Sequence, residues 1–69
     1  MRLKVEKGKL KELASGRHIN TIQQLFDECG LSYCVLREFY RTGTLSKESL
    51  WLVSERLGVS INDFVYLEQ

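Results

Sequence analysis

Proline is absent from this chain of 69 residues, which also holds one histidine, one tryptophan and two cysteines. Each scarcity removes a class of answers. Proline breaks helix interiors by removing an amide donor and clashing with the preceding turn, so its absence suits a chain spent on helices and short turns. His18 is alone, and two cysteines five residues apart lack the spacing and further ligands that zinc needs, so no metal is expected. There is no Cys–His couple, no paired carboxylates in a plausible cleft and no glycine-rich phosphate loop, so neither catalysis nor a cofactor is expected. Cys29 and Cys34 are too few for the disulfide framework of a small secreted domain. Cys29 is expected as a small apolar core residue and Cys34 as a free surface thiol. No uncharged apolar run approaches the roughly 20 residues of a membrane span. The first residues lack the apolar core and cleavage site of a secretory signal, so the expectation is a cytoplasmic protein without membrane contact.

A strong net charge is missing too. The formal charge is +1, but its distribution is uneven. Residues 1–20 carry Arg2, Lys4, Lys7, Lys9, Lys11 and Arg17 against Glu6 and Glu12, a net +4, and the remainder carries a net −3. A basic segment on a near-neutral body can follow a phosphate backbone, and it can equally be a solvated, lysine-rich terminal helix.

What is present is helical spacing. With 43% hydrophobic and 28% charged residues, the chain reads as one small globular domain over residues 1–69. A domain this short buries only about 60% of its unfolded surface. A first helix is expected from about Val5 to Ser15, weakened by Gly8, with Leu10, Leu13 and Ala14 inward and Gly16 as its stop. A second starts at an Asn20 or Thr21 cap and carries Ile22, Leu25, Phe26 and Cys29 on one stripe, ending at Gly30. A third begins at Ser32 and buries Val35 or Leu36 with Phe39 before Gly43 ends it. Ser46 caps a fourth helix over 46–57, lined by Leu50, Val53 and Leu57 and stopped by Gly58. Ser60 caps a last short helix over 61–67 holding Ile61, Phe64 and Val65. The fold class is therefore all-α, a compact four- to five-helix domain.

Residues 21–42 carry the functional signal. Two short helices joined by Gly30-Leu31-Ser32 read as a helix-turn-helix, in which Gly30 supplies a positive φ and Leu31 an apolar anchor. Leu36 and Phe39 hold the second helix of the pair, leaving Ser32, Tyr33, Cys34, Arg37, Glu38 and Arg41 facing outward. Tyr40 is expected to pack against the fourth helix.

From about Leu10 to Val65 the chain resembles the Cro/phage-repressor (XRE-like) helix-turn-helix family. The resemblance rests on Leu25 to Ser32 with Leu36 and Phe39, and on the later run from Leu45 through Leu57-Gly58-Val59-Ser60 to Phe64. It implies a lambda-repressor-like fold, double-stranded DNA as partner, a role in transcription regulation and a phage or mobile-element origin. Carried onto this chain, it implies base contacts from Tyr33, Cys34, Arg37 and Glu38, with Arg37 suited to guanine. It implies backbone contacts from Ser32, Arg41, Thr44, Ser46 and Lys47. The family usually has a small residue where Phe26 stands and a phosphate-gripping glutamine where Ile22 stands.

A surplus of apolar residues points to an interface. Trp51 and Leu52 on the fourth helix, with Val65, Tyr66 and Leu67 near the end, exceed what so small a core needs. A two-fold homodimer is the expected use. The other reading is a domain that docks on another regulatory protein, as an antirepressor or repressor partner, and reads no DNA.

Overall fold

The structure, a computed structural model, describes residues 2–68. A strand, β1 (Arg2–Val5), leads into four helices, α1 (Lys7–Ser15), α2 (Ile22–Glu28), α3 (Tyr33–Thr42) and α4 (Lys47–Leu57). A 3-10 turn (Ile61–Asp63) and a second strand, β2 (Val65–Glu68), close the described chain. The two strands pair antiparallel, Leu3 opposite Leu67 and Val5 opposite Val65.

Local chemistry explains most boundaries. The side-chain oxygens of Thr21, Ser32 and Ser46 accept the amides of Gln24, Val35 and Ser49, so α2, α3 and α4 begin where a cap satisfies a free N–H. Gly43 and Gly58 end α3 and α4 in the left-handed region, at φ 74° and 68°. Every element except the 3-10 turn and β2 sends a buried residue into one core. Phe26, Phe39 and Phe64 are its largest members, with Leu10, Leu25, Val53 and Leu57 around them. The stripe Ile22, Leu25 and Phe26 is buried as its spacing predicts, and Cys29 is half-buried beside it.

Three expectations are corrected. The domain is mostly helical but not all-α, because both ends of the described chain are extended and pair with each other. The helix expected over 61–67 is a single 3-10 turn followed by β2. Ser60 does cap it, in a reciprocal box with Asp63, but Phe64 leaves helical geometry at φ −135°. Val65, Tyr66 and Leu67 are β-branched, aromatic or apolar residues that gain ladder bonds by pairing with Arg2–Val5. At the other end, Val5 belongs to β1, and α1 starts at Lys7 with Gly8 inside it. Val5 donates its amide to the Gly43 carbonyl and Glu6 donates to Phe64, which fastens the start of the chain to the end of α3.

Gly16 is not the left-handed stop expected of it, for it keeps helical angles at φ −63°. His18 takes the positive φ instead, at 64°, and the Ile19 amide returns to the Ala14 carbonyl, dropping Ile19 into the core.

These backbones sort three glycine substitutions. Gly16→Ala meets ordinary packing and a helical φ, so it should be neutral or stabilising by up to about 1 kcal/mol. Gly30→Ala has open space but a φ of 76°, and should cost about 1–2 kcal/mol. Gly58→Ala should cost more, because its Cβ would overlap the Arg17 guanidinium, whose Nε donates to the Leu57 carbonyl at 3.0 Å. Urea unfolding of the three variants checks the order.

Candidate nucleic-acid interface

α2 and α3 are joined by the four residues Cys29–Ser32. Gly30 turns the chain at positive φ, its amide reaching the Asp27 carbonyl, and the Leu31 amide reaches Phe26 at 2.9 Å. Leu31 is half-buried against the core, as expected of an anchor. Phe26, where the resembled family usually has a small residue, is fully buried with its ring centroid 5.4 Å from that of Phe39, tilted by 48°. This pair and Leu36 hold the inner side of α3.

The opposite side carries the residues expected to read bases. Tyr33, at 68% exposure, Cys34, Arg37 and Glu38 are all exposed, and Arg41 joins them one turn on. Glu38 and Arg41 form an ion pair with each other. Arg37 makes no ion pair among the described residues, so its guanidinium is the uncommitted cation of this face.

The expected backbone contacts divide by what already holds them. Ser32 and Ser46 use their oxygens as helix caps, and the hydroxyls of Ser46 and Ser49 lie 3.0 Å apart. Thr44 shares its hydroxyl with Thr42 at 2.7 Å. Lys47, the first residue of α4, is exposed. Ile22 is buried, so the first position of α2 offers no polar group to a phosphate.

Three residues beside this face lay outside the expected set. Lys7 holds its ammonium 5.6 Å from the Phe39 ring centroid and 5.7 Å from that of Tyr40. Lys4 donates to the Thr42 carbonyl at 2.6 Å and lies 3.9 Å from Glu68. Tyr40 is half exposed on this α1 and β1 side of α3, with its ring against Phe39, and not on α4 as expected. The alternation of Leu3, Lys4 and Val5 was the available signal for the strand that carries Lys4, since period two marks a strand.

The expected interface residues fall into two groups on different elements. Trp51 (55% exposed) and Leu52 (36%) lie on α4, where Leu52 accepts the Cys29 thiol through its carbonyl and Arg56 pairs with Glu28 of α2. Val65 and Leu67 share a strand face with Val5 and Leu3, whereas Tyr66 turns to the other face with Lys4. Leu3 and Leu67 are both exposed, so the sheet adds an apolar pair of which Leu3 was not foreseen.

Among the described residues no helix is long and apolar enough to cross a membrane, and no cluster of three or more His, Cys, Asp or Glu is placed to hold a metal. No family model matches the chain, and neither curated proteins nor solved structures yield a significant match.

The two thiols differ in a way that mass spectrometry can read. Burial pushes the Cys29 thiol pKa up, with Arg56 lowering it and Glu28 raising it, and so keeps Cys29 protonated, whereas Cys34 is open to solvent. Because the thiolate is the nucleophile, iodoacetamide at neutral pH should modify Cys34 first and Cys29 much more slowly. Equal rates would mean that α2 and α4 separate readily in solution.

Proposed function

We propose that this chain is a sequence-specific DNA-binding regulator, in which α2 and α3 act as a helix-turn-helix and α3 enters the major groove of duplex DNA. The observation that carries this reading is the division of α3 into two faces. Leu36 and Phe39 are buried, while Tyr33, Cys34, Arg37, Glu38 and Arg41 stand together in solvent. Ten helical residues span about 15 Å, enough to present four or five side chains along a groove about 12 Å wide. Arg37, without a carboxylate partner among the described residues, suits the paired acceptors of guanine. The resemblance to Cro and phage repressors, with the mobile-element origin it implies, agrees with this reading by analogy.

One such face on a domain of net charge +1 makes few phosphate contacts. A homodimer doubles them and reads two half-sites, and the exposed apolar residues of α4 and β2 are the surfaces for it. The exposure of Trp51 and Leu52 also favours a second reading, a domain that docks on another regulatory protein. Salt separates the two: binding through phosphates weakens steeply with salt, and an apolar contact does not.

Selection from a random duplex library at moderate salt tests the proposal, and a two-fold symmetric site should be enriched. Arg37→Ala should then cost roughly 1–3 kcal/mol of specific affinity and relax the preference at one base position. A folded protein that enriches no sequence would leave the protein-docking reading in its place. Leu52→Glu and Leu67→Glu, followed by sedimentation, locate the dimer contact: the variant that yields monomers marks the surface, and a wild-type chain that is already monomeric removes the homodimer.

A further inference from the structure

The expected backbone contacts of Thr44, Ser46 and Lys47 lie on one flank of α3 and leave the flank beside β1 without one. Helical residues advance about 100° each. With Leu36 and Phe39 inward, Val35, Glu38 and Thr42 fall on one side of the exposed ridge, and Tyr33, Arg37 and Tyr40 on the other. The first side meets the α3–α4 connection, where Val35, Glu38, Thr44 and Ser46 line a shallow depression. The second side meets the start of the chain. A groove of about 350 Å³ runs there between β1 and the end of α3, with Lys4, Lys7, Tyr40, Arg41 and Tyr66 among its walls.

We propose that this groove receives a DNA phosphate, with Lys7 supplying the charge and the Tyr40 hydroxyl a hydrogen bond, so that the duplex is held on both rims of the major groove. The inference rests on the duplex-binding reading above and adds to it a site on the other flank. Its first support is dimension. A helix with its side chains is about 10–12 Å across and the major groove about 12 Å wide, so an inserted helix has a sugar–phosphate strand on each side. One strand faces Thr44 to Lys47, and the other faces Lys7 and Tyr40.

Its second support is the state of the three cations. Lys4 is engaged by the Thr42 carbonyl and Glu68, and Arg41 by Glu38. Glu6 also lines the groove, yet Lys7 makes no ion pair with it or with any other described carboxylate. Only the rings of Phe39 and Tyr40 lie under its ammonium. Aromatic faces orient an ammonium without neutralising it, which leaves a directed charge beside a phenol. Lysine binds phosphate as such a point charge.

The test is the salt dependence of binding to one labelled duplex. Lys7→Met keeps an aliphatic stem over Phe39 and removes the charge. It should make the slope of log K against log salt shallower by about 0.9, the share of one phosphate. Affinity for all duplexes should fall by a common factor of roughly ten at low salt, with base preference unchanged. Lys7→Arg should keep the full slope, Tyr40→Phe should lower affinity without changing preference, and thermal melting should show each variant folded. Lys9→Met removes the same charge about 200° around α1 and should leave the slope as it was. An unchanged slope in Lys7→Met, or an equal drop in Lys9→Met, overturns the inference even if Arg37→Ala still alters base preference. Binding of wild-type protein that ignores salt overturns the duplex reading and this site together.

Discussion

The contact between Phe26 and Phe39 is the constraint on which the candidate surface depends. Phe39 has no exposure, and Phe26 reaches it across the turn between α2 and α3. Such a tilted pair contributes about 0.5–1.5 kcal/mol beyond the area it buries. Its larger effect is geometric. Phe39 and Leu36 are three residues apart on α3, so anchoring both sets the rotation of the helix about its own axis, and the outward direction of Arg37 and Arg41 follows. Truncating a buried phenylalanine costs about 3–5 kcal/mol, a large part of the 5–15 kcal/mol that holds a typical domain together. The residue that aims the surface is therefore one the fold cannot lose, and function has to be probed from the outer face.

How much was legible in the sequence depended on the distance over which each element is decided. Thr21, Ser32, Ser46 and Ser60 lie within a few residues of the amides they cap, and Gly43 and Gly58 end their own helices. These local signals placed α2, α3, α4 and the outward set of Tyr33, Arg37 and Glu38. The two strands are different. Val65 to Glu68 becomes extended because Arg2 to Val5 is there to pair with it, 60 to 66 residues away in sequence. Four residues of alternating polarity carry too little signal to announce such a pairing, and Ile61, Phe64 and Val65 also fit a helical stripe. His18 illustrates the same limit in a turn: glycine is the usual left-handed residue, yet the reach of Ile19 to the core decides that His18 turns and Gly16 does not.

The N-terminal excess of positive charge could be counted in the sequence but not interpreted. Folding disperses it among separate tasks. Lys4 donates to a carbonyl at the end of α3 and Arg17 to one at the end of α4, where the partial negative charge of a helix terminus favours a cation. These two residues thus serve the helices as caps, and their partners lie 38 and 40 residues along the chain. Lys7 remains on aromatic rings, uncommitted to any described carboxylate. A count of +4 over the first twenty residues therefore overstates the charge free to meet a partner.

Net charge is for the same reason a poor guide to what this surface can bind. Among the described residues, the exposed side of α3 offers Arg37, with Lys7 and Glu6 beside it, while Glu38 is taken by Arg41. The outer side of α4 instead sets Trp51 and Leu52 between the acids Glu48 and Glu55, all exposed. Charges farther apart than a Debye length, about 8 Å at physiological salt, are largely screened from one another. A phosphate strand at α3 would respond chiefly to the charges near it, Glu6, Glu38 and Glu68 included, while the other acids that bring the total close to zero lie on other elements. Near-neutrality then reflects two surfaces of different chemistry within one small domain, a cationic one at α3 and an apolar one edged by acids on α4.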